Sequence, residues 1–378
     1  MGIRINGSTS GYTEINAPAE GGNSTAGIIL PSGTTAERPA SGSAGQIRFN
    51  TDTGELEFYA PNRSSPGWYP LTERGIDPLN VEYLVVGGGG GGGGYTPHSS
   101  PGAYFAGTTG SDSIFDTVTA GGGGGGGDGN GGLGLTGRPT NGNGGGSSGG
   151  TAQGGGAGNG SGYGGGAAVA SGSYAGGSGG GAGAAGTNGG TGVASNNGGI
   201  GATTTIITTA QATANSVGEV DSGNVYFAGG GASSPYTYYA STPANGGLGG
   251  GGDSVTAAYA GYGATNTGHG TTNTGGGGAG YTNNTYGSAG GGAGGVVTGT
   301  INAFPTGQPK PIVVGEGGAG DTAGNSSNGG SGVVILKYPS VYTATFSAGV
   351  TQTTITDGGN KISIVKATTN SSQTVTFS

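Results

Sequence analysis

Hydrophobic positions in this chain fall into short β-type groups separated by long stretches that have none. In GQIRFNTDTGELEFYAP, Ile47 and Phe49 fall on one side of an extended chain and Gln46 and Arg48 on the other, and Leu56 and Phe58 resume the alternation after TDTG. Period-two alternation on both sides of a glycine-containing turn predicts a β-hairpin. Trp68, the sole tryptophan, and Tyr69 follow at once, placed to cover the hairpin's apolar side. A second group, VEYLVV at 81–86, reads as a strand and stops abruptly at the glycine run Gly87 to Gly94. The third begins near Val341: VYTATFSAGVTQTTIT, a turn at Asp357-Gly358-Gly359-Asn360, then KISIVKATT and QTVTFS. Its β-branched residues predict a small β-sandwich or meander, with Ile362 and Ile364 on one face and Val375 with Phe377 on another.

Between the second and third groups, glycine runs recur at 121–127, 144–146, 154–156, 179–181, 249–252, 275–278 and 290–292. The intervening segments are either polar and aromatic, as in ASSPYTYYASTPANG, or β-like, as in TTTIITTA and NVYFAG. No fixed repeat period of the solenoid kind is present. Glycine costs about 1 kcal/mol per helical residue relative to alanine, so helix is nearly excluded here. Two readings remain: a flexible low-complexity linker, or an ordered array whose backbones pack too closely for side chains. Polyproline II geometry fits the ordered case, with three residues per turn, a rise of about 3.1 Å, and N–H and C=O groups turned outward for pairing between chains. Eight glycines would span about 25 Å in that form. Interior rods should then be pure glycine, with Ala, Ser, Asn and Thr on outer ones. Ordering glycine is entropically expensive, so only many mutually paired rods could offset it, which accounts for the recurrence. Gly87, Gly90, Gly94, Gly121, Gly124, Gly127, Gly275 and Gly278 are the expected scaffold positions.

The expected fold is therefore all-β with a polyglycine/polyproline II helix bundle and essentially no α-helix. Three regions follow: an N-terminal β-module over 1–78, a glycine-rich domain with inserted loops over 79–338, and a C-terminal β-module over 339–378. The first module has few large apolar residues for its length and would bury little alone, so other copies of the chain are expected to supply the missing core, as a homo-oligomer.

Composition narrows function. Of 378 residues 103 are glycine, 7% are charged and 30% apolar, against roughly 25% charged in ordinary soluble domains. The formal charge of −8, without clustered Lys or Arg, excludes a nucleic-acid surface. Zero cysteines exclude a disulfide framework and thiolate metal sites. The N-terminus lacks the apolar core of a secretory signal, and no apolar run reaches the ~18 residues of a spanning helix, so neither general secretory export nor membrane insertion is expected.

Catalytic and cofactor motifs fail one by one. GxGxxG occurs through composition alone, never between a Val/Ile-rich strand and a helix, and a Walker loop needs a lysine that the central zone lacks. Gly123 to Asp128 matches GGxGxD, the opening of a calcium β-roll repeat, but Asn130 stands where the apolar residue belongs and no tandem copy follows. His98 and His269 have no ligand or triad partner at suitable spacing. Asp112 and Asp116 in GSDSIFD are spaced for a carboxylate pair, but a glycosidase site needs an enclosed cleft whose apolar walls this composition hardly supplies, so turn and capping roles are expected. The expectation is a non-enzymatic protein with no metal and no cofactor. The aromatic residues carry more information. Tyr95, Tyr104, Phe105, Tyr236, Tyr238, Tyr239, Tyr259, Tyr262, Tyr281 and Tyr286 cluster outside the glycine runs. Tyrosine among Ser, Gly and Asn is the composition of adaptable recognition loops; rings that only cover exposed backbone are the alternative.

VEYLVVGGGGGGGG, VYFAGGGAS, GTTNTGGGGAG, PIVVGEGGAGD and NGGSGVVILKYP, in that order, resemble signatures of glycine-rich bacteriophage tail fibre and adhesin proteins of marine and cyanobacterial phages. TTAERPASGSAGQIRFNTDTGELEFY resembles the N-terminal β-module of phage fibres. The resemblance implies a virion fibre or tip protein, usually a homotrimer, assembled in the host cytoplasm beside other virion structural proteins. It also implies a central polyglycine II sandwich whose end loops bind a host cell-surface receptor, protein or polysaccharide. The chain departs from the simplest tip adhesins by continuing past Tyr338. The competing expectation is a purely structural capsid or neck fibre, or a self-assembling extracellular filament, without a receptor.

Overall fold

The computed structural model describes residues 3–4, 14–15, 30–62, 65–71, 78–96, 103–128, 156, 158, 162–167, 176–189, 196–234, 244–254, 268–281, 287–320 and 327–378. The chain forms two units, Met1–Pro78 and Leu79–Ser378. Strands make up most of the regular structure, and the helices are short.

In the first unit β1 (Ile3–Arg4) pairs with β2 (Glu14–Ile15), and β3 (Ser32–Gly33), β4 (Ile47–Asn50), β5 (Glu55–Ala60) and β6 (Gly67–Pro70) form one sheet in that order. The expected hairpin is β4–β5, closed through Gly54 at φ 73°. Its burial is the reverse of the expectation. Arg48, Asn50 and Glu57 are buried, whereas Ile47, Phe49 and Leu56 are 37–40% exposed. A short 3-10 turn at Thr35–Glu37 and the chain after it supply partners for the polar side. Arg38 binds Glu57 through both Nη2 and Nε, Asn50 Nδ2 donates to Glu57 Oε1 at 2.7 Å, and Arg48 Nη2 donates to the Thr34 carbonyl at 3.1 Å. Trp68 lies on this polar side, edge-on to Tyr59 and 5.8 Å from the Arg48 guanidinium. Only Tyr69 joins the apolar side, tilted against Phe58. The alternation placed the strands but not the covered face, because segment 34–42 brings polar partners rather than apolar ones.

The Arg38 hydrogen bonds hold the Glu57 carboxyl below the ordinary glutamate range, with a smaller contribution from Asn50 in the same direction. A depressed carboxyl contributes stability that is fully present above the unfolded value of about 4.3 and is lost as pH falls through the lower folded value. Trp68 emission during an acid titration should therefore report loosening of this sheet below about pH 4. Glu57→Gln should destabilise the sheet at neutral pH, by an amount that shrinks as the pH falls.

The second unit opens with β7 (Val81–Val86), β8 (Gly94–Thr96), β9 (Ala103–Phe105), β10 (Ser113–Phe115), β11 (Val118–Ala120) and β12 (Ala202–Thr204). Helix α1 (Thr209–Asn215), β13 (Glu219–Asp221), β14 (Asn224–Phe227), β15 (Val296–Ile301), β16 (Lys310–Val313) and β17 (Val333–Pro339) follow. The chain closes with β18 (Ala344–Phe346), β19 (Val350–Asp357), β20 (Asn360–Thr368) and β21 (Thr374–Phe377). A central sheet, β15-β7-β17-β20-β19, packs one face on a second sheet, β11-β10-β16-β21-β18, and the other on β12-β14-β13 with α1. The first interface holds Val81, Val85, Phe115, Ile312, Leu336, Tyr338 and Phe377; the second holds Leu84, Ile206, Phe227, Ile335, Ile362 and Ile364. Burial on both faces explains why β7 ends in a continuous apolar run, Leu84 to Val86, rather than an alternating one.

Two expectations change. Residues 339–378 are not a unit of their own: β20 pairs with β17 and β21 with β16, so the last strands complete sheets begun at residues 81 and 113. TTTIITTA is only partly β. Strand β12 ends at Thr204, and Thr208 caps α1 by accepting from the Gln211 amide while Gln211 Oε1 accepts from the Thr208 amide. This capping box before an alanine-containing stretch outweighs the β-branched pattern.

Candidate functional site

Gly87–Gly93, directly after β7, form neither strand nor helix, yet their amides are paired in a strict order. Gly87, Gly90 and Gly93 donate to the carbonyls of Gly295, Gly292 and Ala289; Gly88 and Gly91 to Ser111 and Thr108; Gly89 and Gly92 to Gly330 and Ser327. Each step of three along one segment matches a step of three, reversed, along its neighbour. Three further segments run the same way as 87–93. A Cβ built on Gly87, Gly90 or Gly93 would strike the carbonyl of Gly121, Gly124 or Gly127; on Gly88 or Gly91, that of Glu316 or Ala319; on Gly89 or Gly92, that of Gly276 or Ala279. These neighbours return bonds, as when Gly123, Gly318 and Gly278 donate to Gly88, Gly89 and Gly90. The pattern continues outward, with Gly231 donating to Gly291 and Ser234 to Ser288. Gly87, Gly90, Gly94, Gly121, Gly124, Gly127, Gly275 and Gly278 are all buried.

The segments are not confined to glycine where they are buried. Ala228 and Ala293 lie at the sheet end, where their methyls join the apolar layer around Val86. At the opposite end, buried serines take over the pairing. Ser234 and Ser288 donate to the Gly280 and Tyr281 carbonyls, and Ser233 and Ser254 accept from the Asn196 and Ala244 amides at 2.9 and 2.7 Å. Reading the sequence for aromatic residues missed these serines; the signal was a Ser at or near the end of a Gly/Ala run, in GGGAS and GGDS.

The registers also fix which end is which. Gly87 adjoins β7, and Gly93 lies level with Ala289, Gly127 and Tyr281. Ser234, Ala244, Ser254 and Gly268 are tied into that same far level through Ser288, Gly252 and Ala279. Tyr236, Tyr238, Tyr239, Tyr259, Tyr262 and Tyr286 lie outside the described residues, but the chain leads into and out of their segments from this far end. Tyr95 and Tyr104 are paired opposite one another in the β8–β9 hairpin that follows Gly93, and Phe105 is opposite Gly94. Tyr281 departs from the expectation: it is 7% exposed, its amide donates to Gly93, and it belongs to the interior.

The remaining polar candidates have structural partners. Asp112 Oδ1 accepts from the Gly122 amide at 3.0 Å, while Asp116 pairs with Lys310 at 3.3 Å, so the two carboxylates serve different contacts. His269 Nδ1 accepts from the Asn328 amide at 2.9 Å; His98 lies outside the described residues. In the GGxGxD stretch, the Gly123 and Gly126 amides donate to Gly88 and Gly91. No group of three or more His, Asp or Glu that could hold a metal occurs among the described residues. Nor is any described helix long and apolar enough to cross a membrane. A cleft of about 290 Å³ is lined by Glu82, Thr203, Thr204, Thr205, Thr298 and Thr300, with a single carboxylate and no base. Comparison with family models, with curated proteins and with solved structures found no match.

Proposed function

We propose that residues 79–338 hold a polyglycine II bundle and that the chain is a non-enzymatic fibre or adhesin of a phage virion, presenting Tyr-rich loops to a host-surface receptor. The observation that carries this reading is the threefold register around Gly87–Gly93, whose loop-bearing segments all leave from the end opposite the sheets. A period of three with amides directed to three different neighbours is what polyproline II geometry requires, and none of Gly87–Gly93 adopts positive φ. The sheets form a rigid base, the glycine rods a stiff spacer, and the far end a platform. Tyr95, Tyr104, Phe105, Tyr236, Tyr238, Tyr239, Tyr259, Tyr262 and Tyr286 are the recognition candidates, since tyrosine offers large contact area at low entropic cost. The partners are further copies of the chain, as a homotrimer, other virion proteins, and a host protein or polysaccharide; no cofactor, metal, nucleic acid or membrane insertion is involved.

Purified protein should compete with virions for adsorption to host cells, and Tyr238→Ala combined with Tyr239→Ala should reduce that competition at least tenfold without altering thermal stability. Absence of competition by the unmodified protein would leave a scaffold without a receptor.

A further inference from the structure

Glu82, Thr298 and Thr300 share one face of the central sheet, because Thr298 is opposite Leu84 and Thr300 is opposite Glu82 in the β7–β15 register. It is the face whose Leu84 and Ile335 enter the interface with β12-β14-β13. At the β15 edge of that face, residues 203–206, which lead out of β12, form the second wall of a cleft of about 290 Å³. Tyr83 turns its ring toward the opposite interface, so with Gly299 it gives the cleft a backbone floor. Thr203, Thr205, Thr298 and Thr300 are exposed, Glu82 is half-buried, and Ile206, 3% exposed, marks the apolar inner end. Of the five threonines only Thr204 is engaged, its Oγ1 accepting from the Ile206 amide at 3.2 Å. Among the described residues, the other four hydroxyls and the Glu82 carboxylate have no hydrogen-bond or ion-pair partner, although register puts Lys337 opposite Glu82 on β17.

We propose that this cleft binds one ring of a neutral saccharide. An ionised carboxylate only accepts hydrogen bonds, whereas a threonine hydroxyl both donates and accepts. Together they match a ligand that carries several adjacent hydroxyls. Each threonine also sets a methyl beside its hydroxyl, so the walls alternate polar and apolar over a few ångströms, as the C–H and O–H groups of a sugar ring do. An acidic ligand is disfavoured by Glu82 and by the net charge of −8. A hard cation needs more oxygen ligands of higher charge than one carboxylate provides. The volume is at the low end for ligand pockets, which suits a single ring rather than a long segment of polymer. The cleft lies on the sheets, at the opposite end from the Tyr-rich loops, and the inference does not rest on those loops.

Saturation-transfer NMR and titration calorimetry of the full-length protein against glucose, galactose, mannose and fucose test it. At least one sugar should bind saturably. Glu82→Gln should weaken that binding about tenfold, the loss of one charge-assisted hydrogen bond. Thr300→Val, which keeps the side-chain shape and removes one hydroxyl, should weaken it about fivefold. Thr351→Val, exposed at the opposite edge of the same sheet, should leave it unchanged. All three variants should keep the thermal transition, since the side chains border solvent. The Tyr238→Ala, Tyr239→Ala protein should bind the sugar as the unmodified protein does. No saturable binding of any of the four sugars, binding that Glu82→Gln and Thr300→Val leave intact, loss of binding in the double tyrosine variant, or tighter binding of glucuronate than of glucose would each overturn the assignment.

Discussion

Gly90→Val is expected to destroy the cooperative thermal transition of the second unit or lower it by more than 10 °C, measured by calorimetry beside Gly359→Ala. A side chain at 90 would occupy the position of the Gly124 carbonyl, with the Gly123 carbonyl next to it. Its neighbours are backbone on every side, so no rotamer change can make room. Moving the segment would break the bonds from the Gly90 amide to Gly292, at 2.8 Å, and from the Gly278 amide to Gly90, at 2.9 Å. Each buried amide left unpaired costs roughly 1–3 kcal/mol, and overpacking adds a similar amount. The total reaches several kcal/mol of the roughly 5–15 kcal/mol that holds a typical domain together. A Cβ at Gly359 meets nothing within 4 Å, so alanine there should change stability by no more than about 0.5 kcal/mol. Equal tolerance at the two positions would show that 87–93 is not a packed segment.

A chain terminated after Pro339 should fail to fold, even though it keeps every glycine run. Truncation removes Ile362, Ile364, Val365, Val375 and Phe377, each fully buried. At about 2 kcal/mol per side chain, their loss is comparable with the entire stability of a domain. It also removes β20, one of the two partners of β17, and uncovers both apolar interfaces of the central sheet, a surface prone to aggregation. A soluble, cooperatively melting product, by proteolysis and calorimetry, would mean that 339–378 is an appendage.

What could be read from the sequence depended on how local the determining interaction was. The β4–β5 hairpin, the turn through Gly358 and the shared faces of Ile362 with Ile364 and of Val375 with Phe377 follow from alternation and turn chemistry within about fifteen residues. The buried face of the hairpin did not, because it depends on Arg38 and Thr35 reaching Glu57 and Asn50 from outside the strands. The same limit hid the allegiance of β20 and β21, whose partners lie in β17 and β16. The glycine runs announced close backbone approach, but not which runs touch. Of the recognition candidates, Tyr281 read like the others in sequence, and its burial follows from a bond to Gly93 that no local pattern encodes. The serines at the far end went unnoticed since a serine beside glycine is common in any such composition.

The surroundings of Gly87–Gly93 have a consequence for how the molecule comes into being. All of its neighbours lie later in the chain: 108–111, 121–127, 276–279, 289–295, 316–319 and 327–330. The enclosed segment is thus synthesised before every segment that surrounds it, and its full set of partners exists only once residue 330 has been made. Such non-local closure is slow, because loop entropy is lost before the contacts compensate for it. At synthesis rates of about 5–20 residues per second, the segment waits for more than ten seconds. The first long glycine run of the chain therefore cannot be fully enclosed until late in synthesis, close to the point at which β17 and β20 complete the central sheet.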